Sequence, residues 1–197
     1  MRVAPGGWRL ALSLFLLALP ALLVPTLALA LVLAGYAVLA FYRDPERTPP
    51  PSGVVSPADG RVRAVREEGD RVRVVVFLNV TDVHVVRAPL AGAIESVDHR
   101  PGGHLPAFSK ASERNERVGV ACDGYDLALV AGAVARRITP YVAADDRVDR
   151  GDRVGHIAFG SRVDVLLPPD VAPDDVGVST GERVRAGETV IAERTDG

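Results

Sequence analysis

Phe159-Gly160-Ser161-Arg162-Val163-Asp164-Val165 joins two valine-rich runs through a Gly-Ser pair, and that pair has a reaction of its own available. Glycine leaves its carbonyl unshielded, so the Ser161 hydroxyl can attack it and move the acyl group from nitrogen to oxygen. Loss of the Ser161 α-proton then expels Gly160 as a carboxylate, and the dehydroalanine left behind hydrolyses to a ketone and ammonia. Taken alone, the pair reads equally as a turn. Such a reaction needs proton carriers, and two phrases offer them: Asp59 in Ser56-Pro57-Ala58-Asp59-Gly60, and His84 in Asn79 to Pro89, which reads N-V-T-D-V-H-V-V-R-A-P. Imidazole suits either proton role because its ordinary pKa lies near neutrality. Asp-Gly is also a common turn dipeptide, and strand alternation could put His84 on either face. His99, His104 and His156 stand in no comparable phrase and are read as structural.

Residues of this kind must be held by strands. After residue 50 the chain is a series of short Val-rich runs separated by Gly, Pro and Asp: Gly60 to Val65, Arg71 to Leu78, Val83 to Ala88, Ala93 to Val97, Val118 to Ala121, Tyr125 to Val134, Val154 to Phe159 and Val163 to Leu167. No segment there keeps a helical period over three turns. The phrases from Val148 to Gly155 and from Gly181 to Glu188 resemble the glycine-turned hairpins of lipoyl- and biotinyl-type domains, where glycine supplies a positive φ. The expected fold is mainly β, a barrel-sandwich-like domain.

Ahead of it, Leu10 to Tyr42 carries no charged side chain. A spanning helix needs about 20 apolar residues, and Leu23 to Tyr42 offers one such stretch, flanked by Trp8 and by Phe41-Tyr42 as interfacial aromatics. Pro20 and Pro25 each remove a backbone donor, so a kinked span and a re-entrant hairpin or wedge are both open. Arg2 and Arg9 precede the run while Arg43 and Arg47 follow it, which favours both flanks, and the domain behind them, on the cytoplasmic side of a cell membrane. Thr48 to Pro51 is a stiff extended linker. The expected organisation is therefore a membrane-associated helical segment over residues 1–47 and a β domain over residues 48–197.

A formal charge of −2 lacks the basic footprint of nucleic-acid binding. Cys122 is the only cysteine, which rules out an internal disulfide and a multi-cysteine metal site. Lys110 is the only lysine, a composition seen in high-G+C genomes and salt-adapted organisms.

Phe41-Tyr42-Arg43-Asp44-Pro45-Glu46-Arg47, Ser56-Pro57-Ala58-Asp59-Gly60, Asn79 to Pro89 and F-G-S-R-V-D, in this order and spacing, resemble the short form of the phosphatidylserine decarboxylase proenzymes, archaetidylserine decarboxylases included. The resemblance runs from the membrane segment to Leu167. It implies scission of the Gly160–Ser161 bond into a β chain of residues 1–160 and an α chain of residues 161–197, with Ser161 converted to a covalent pyruvoyl group. That ketone would form a Schiff base with the amine of a serine-headed lipid in the bilayer and act as the electron sink for loss of CO2, with no metal.

The resemblance further implies Asp59 in self-cleavage and His84 in protonation during decarboxylation. It departs from the long-form pattern at Arg87, where a second histidine would stand, so Arg87 is assigned to stabilising an anion. Lys110, Arg114 and Arg117 in K-A-S-E-R-N-E-R read as a solvated charged loop, or alternatively as contacts to the lipid phosphate. Self-association, the lipid tails and the self-cleavage base are left open.

Two rivals follow from the same residues. A membrane-anchored barrel-sandwich adaptor or carrier would use the hairpins without chemistry, yet Lys110 is the only lysine and A-F-S-K-A-S is unlike a lipoyl turn. A pyruvoyl enzyme for a soluble amino acid would have no reason to keep an apolar N-terminus.

Overall fold

The computed structural model describes residues 2–103, 114–132, 138–158 and 161–194. The chain divides into two compact units, residues 1–46 and 47–197.

In the first unit, β1 (Arg2–Val3) pairs antiparallel with β2 (Arg43–Asp44) and closes a helical hairpin of α1 (Gly7–Ala18) and α2 (Pro25–Phe41), joined by a 3-10 turn over Pro20–Leu23. Each proline starts a new helical piece, because it lacks the donor a continuing helix would need. Val24 breaks the run with φ −126° and ψ 86°. Gly35 leaves room for the Phe15 ring, which meets Tyr36 edge-on at 5.4 Å between ring centres. The single span from Leu23 to Tyr42 is thereby corrected: α2 has 17 residues and α1 has 12, lengths of about 26 Å and 18 Å against about 30 Å of hydrocarbon. Among the described residues no helix is long and apolar enough to cross a membrane.

The second unit is mainly β. Its strands are β3 (Val54–Val55), β4 (Gly60–Glu68), β5 (Arg71–Leu78), β6 (Val85–Arg87), β7 (Gly92–Arg100), β8 (Arg117–Cys122), β9 (Tyr125–Val130), β10 (Ile138–Pro140), β11 (Arg147–Val148), β12 (Arg153–Ile157), β13 (Ser161–Leu166), β14 (Arg183–Val184) and β15 (Val190–Ala192). Among the described residues an eight-stranded sheet runs β11-β7-β8-β9-β13-β5-β4-β14 and curls into a half-barrel, accompanied by β10-β12-β6 and β15-β3. Every pairing is antiparallel. The only helical piece described in this unit is a 3-10 turn at Pro173–Asp175.

Alternation sets the faces. Val74, Val76 and Leu78 of β5, Leu127 and Leu129 of β9 and Val163 and Val165 of β13 lie on the core side. Each such side chain contributes about 1.5–3 kcal/mol on burial. Arg71 to Leu78 keeps the bounds expected from its pattern, while β6 starts only at Val85, leaving Val83 and His84 in the approach to it. The paired hairpins turn on Gly151 and Gly187, with φ +88° and +72°. These turns meet: a Cβ on Gly187 would lie 3.6 Å from the Gly151 Cα and 3.0 Å from Arg87 Cδ.

Candidate functional site

Ser161 opens β13, an inner strand paired with β5 on one side and β9 on the other. It stands opposite Leu78, on the core side with Val163 and Val165, and is fully buried. Its Oγ has no hydrogen-bond partner among the described residues. A buried hydroxyl left so costs about 1–3 kcal/mol, and native folds rarely carry one without a use. Gly160, and with it the Gly160–Ser161 bond, lies outside the described residues, as do Lys110 and His104.

Asp59 reaches the same region through Gly60. Arg61 pairs with Phe77, which brings Gly60 opposite Leu78. A Cβ on Gly60, where φ is +147°, would run into the Phe77 carbonyl oxygen, so this close approach requires glycine. Gly60, Leu78 and Ser161 thus form a line across three strands, about 10 Å from end to end at ordinary strand spacing. The Asp59 carboxylate accepts from Arg47 Nη2 at 3.0 and 3.2 Å and from the Ala186 N–H at 2.8 Å. Arg47 Nη1 donates to Glu188 Oε2 at 2.8 Å. Arg47 and Asp59 are both largely buried, at 10% and 14% side-chain exposure, so this ion pair is shielded from solvent.

His84 is held by a turn. Asp82 N donates to Asn79 O at 2.9 Å, and Asn79 N donates back to Asp82 Oδ2 at 2.8 Å. Arg183 Nη2 donates to Asp82 Oδ1 at 2.9 Å. The Asp82 carbonyl so positioned lies 2.9 Å from His84 Nδ1. A carbonyl can only accept, so Nδ1 carries the proton and the neutral ring keeps its lone pair on the buried Nε2. The His84 carbonyl accepts from Ile157 N at 3.1 Å, four residues before Ser161, which ties the two phrases together.

Arg87, three residues on in an extended segment, leaves the backbone on the opposite side. Its Nη1 donates to the Gly151 carbonyl at 2.7 Å, and its N–H donates to the Pro57 carbonyl at 2.8 Å, bringing it beside the Asp59 phrase. Arg114 is exposed, and Arg117 is half-buried at the start of β8. Between them Asn115 is buried, with Nδ2 donating to the Ala131 carbonyl at 2.7 Å.

The histidines read as structural have local partners where described. His99 Nε2 meets Glu116 Oε1 at 2.9 Å on the surface. His156 Nδ1 meets the Tyr141 hydroxyl at 2.9 Å, and burial holds its pKa below the usual histidine range. Asp164, beside Ser161 in sequence, is buried on the other face. Burial pushes its carboxyl up, while Arg162, 2.8 Å away, pulls in the opposite direction. Among the described residues no group of three or more His, Cys, Asp and Glu could hold a metal.

Sequence reasoning left four of these residues without a role. Arg47 closes one of the quoted phrases and Asp82 sits two residues before His84, so both were within sight. Arg183 and Glu188 carry no local signal, being 101 residues from Asp82 and 141 from Arg47.

The model of the family described as phosphatidylserine decarboxylase matches residues 36–192. The chain is 52% identical over 191 residues to the provisionally named archaetidylserine decarboxylase proenzyme of Halobacterium salinarum, covering 95% of this chain and 97% of that one. It is 51% identical over 174 residues to the phosphatidylserine decarboxylase proenzyme of Thermobifida fusca, with 86% and 76% covered. A provisionally named archaetidylserine decarboxylase proenzyme of Methanosarcina acetivorans matches at 43% over 163 residues, covering 80% and 75%.

Proposed function

The chain belongs to the phosphatidylserine decarboxylase family, and on that premise we infer that it is a carboxy-lyase converting a serine-headed phospholipid to its ethanolamine-headed counterpart. The family membership disfavours a non-catalytic adaptor. The observation that carries the reading onto particular atoms is the Ser161 hydroxyl, buried at the head of an inner strand without a partner among the described residues.

Self-cleavage between Gly160 and Ser161 gives a β chain of residues 1–160 and an α chain of residues 161–197. Ser161 Oγ gives up its proton and bonds to the Gly160 carbonyl carbon as the C–N bond breaks. The carboxylate at Asp59 takes part in this proton traffic, held in place by Arg47 and the Ala186 N–H. The pyruvoyl group formed from Ser161 fits a site whose serine hydroxyl is sequestered from water, and there it supplies an electron sink for loss of CO2. His84 Nε2, with its lone pair set by the Asp82 carbonyl, returns a proton to the substrate carbon. Arg87 stabilises an anion, the oxyanion of the first step or the substrate carboxylate. Arg114, Arg117 and Lys110 are cations for the lipid phosphate.

The substrate resides in a bilayer, and residues 1–47 suit monotopic attachment to it. Trp8, Leu12, Leu19, Leu23 and Leu27 of the helical hairpin are all at least half exposed, with Leu23 at 93%. Apolar side chains of such a hairpin bury about 5–10 Å into the headgroup and acyl boundary. This places the enzyme at the cell membrane, with the β domain on the cytoplasmic side. The two glycine turns that meet at Gly151 and Gly187 support a barrel-sandwich character for that domain.

Intact-mass analysis of the purified protein tests the whole reading. Two fragments are expected, the smaller starting at residue 161 with a ketone in place of its amine. A continuous chain with an ordinary serine at 161 would refute it.

A further inference from the structure

The register of the eight-stranded sheet lines up one row of cross-strand neighbours next to the Ser161 row. Arg183 pairs with Arg61, Arg61 with Phe77, Phe77 with Arg162, Arg162 with Val130, Val130 with Arg117, and Arg117 with Arg100. Directly opposed residues of antiparallel strands share a face. All seven side chains therefore leave the sheet on the face opposite Ser161, and five of them are arginine. At ordinary strand spacing the row spans about 29 Å.

The charge is graded along the strands. One pair further in, the row Ala64, Val75, Asp164, Ala128, Gly119, Asp98 has two aspartates and no arginine. The basic end is thus the Ser161 end. Arg61, Arg100 and Arg183 are exposed, while Arg117 and Arg162 are half-buried. Part of the charge is met within the protein: Arg162 pairs with Asp164 at 2.8 Å, Arg183 pairs with Asp82 at 2.9 Å, and Arg61 Nη1 donates to the Gly181 carbonyl at 2.9 Å. A chain with a net charge of −2 still concentrates five guanidinium groups along one edge of one face.

We propose that this arginine row is a docking face for the phosphates of an anionic bilayer surface, turning the Ser161 end of the sheet toward the membrane. The proposal rests on the serine-phospholipid reading, since a serine-headed phospholipid carries net negative charge and makes its own bilayer anionic. Guanidinium groups suit phosphate because their planar fork matches paired oxygens. Each arginine near an anionic leaflet adds about 1 kcal/mol, roughly a fivefold gain in partitioning, which fades beyond a Debye length.

The test uses the full-length protein and two double variants that remove the same charge. R61Q/R100Q thins the row at exposed positions. R66Q/R147Q removes two exposed arginines elsewhere in the sheet, at the pairs Arg66–Arg73 and Arg147–Ala93. Partitioning is measured at low salt onto phosphatidylcholine vesicles and onto phosphatidylcholine and phosphatidylserine mixed at about 3:1. R61Q/R100Q should lose about 30-fold on the mixed vesicles and little on the neutral ones, with R66Q/R147Q close to wild type. Equal losses in the two variants would overturn the proposal, as would wild-type partitioning by R61Q/R100Q. A loss by R61Q/R100Q of binding to duplex DNA with none on vesicles would overturn it in favour of a nucleic-acid partner. Self-cleavage, read on a denaturing gel, reports separately: a wild-type chain that stays intact sinks the decarboxylase reading, whereas a cleaved chain without the vesicle difference sinks only the docking face.

Discussion

Replacing Asp59 by Asn separates its chemistry from its place in the fold. The side chains are nearly isosteric, and the Asn oxygen can still accept the Ala186 N–H that Asp59 Oδ1 holds at 2.8 Å. The Asn nitrogen, however, would be a donor facing the donor Arg47 Nη2, now 3.0 Å from a carboxylate oxygen. A charge-assisted hydrogen bond of this kind contributes about 1.5–3 kcal/mol. Arg47 keeps its second partner, Glu188, at 2.8 Å, so the loss should stay in that range. For a protein of this size it lowers Tm by about 3–12 °C.

Arg47→Gln is the reference. It breaks the same pair and the Glu188 pair as well, so it destabilises at least as much, yet it leaves the Asp59 carboxylate in place. If that carboxylate carries a proton in self-cleavage, D59N should slow the cut by about 100-fold or more while R47Q slows it far less. Both rates are read on denaturing gels from freshly refolded precursor, beside thermal melts. D59N cleaving at the wild-type rate would refute the reasoning. So would equal slowing of D59N and R47Q in step with their melts, which would make Asp59 a bracing residue only.

Asp82→Ala removes the acceptor for the Asn79 N–H and for Arg183 and loosens the carbonyl that fixes His84; decarboxylation by the cleaved enzyme should fall by about 10-fold or more with KM little changed, and the limb of the kcat pH profile due to His84 should shift, whereas an unaltered profile would remove Asp82 from the positioning role. His156 is kept neutral by burial, so its folded pKa lies below its unfolded one and the unfolded chain takes up the proton first. Its contribution to stability is therefore complete above the ordinary histidine pKa of about 6.5 and declines as pH falls below it. Urea melts across that window should show the decline in wild type and a flatter curve in H156Q. Burial pushes the Cys122 thiol up to about 11, so a disulfide reagent at neutral pH should label it only after denaturation.

The strands that carry the chemistry were legible because their periodicity is long enough to read. Arg71 to Leu78 alternates over eight residues and Val163-Asp164-Val165 continues the pattern from Ser161, so the strand and its inward face follow from residue type. Strands of two or three residues, such as β11, β14 and β15, hold no period and were not expected, although the glycines that turn them were. The apolar N-terminus was misjudged in one respect. Hydropathy counts residues, and Leu23 to Tyr42 has enough of them, but Pro25 starts the helix afresh and leaves it short of a bilayer. The braces on Asp59 and His84 were hidden for another reason: Glu188 and Arg183 come from the last part of the chain, and only the folded sheet brings them to Arg47 and Asp82.

The position of β13 in the middle of its sheet bears on how the protein lives after it is cut. A peptide clipped at its own first residue, yet zipped to neighbours along both edges, has no easy way out, so maturation should leave the two pieces as one body. The reverse path is different. Once heat or denaturant separates them, reassembly becomes an encounter between two molecules, and the short one must thread back between strands that can close without it. The information needed to build this catalyst is fully present only before it becomes one, so recovery of mature enzyme from urea should depend on concentration and remain poor where the uncut precursor refolds.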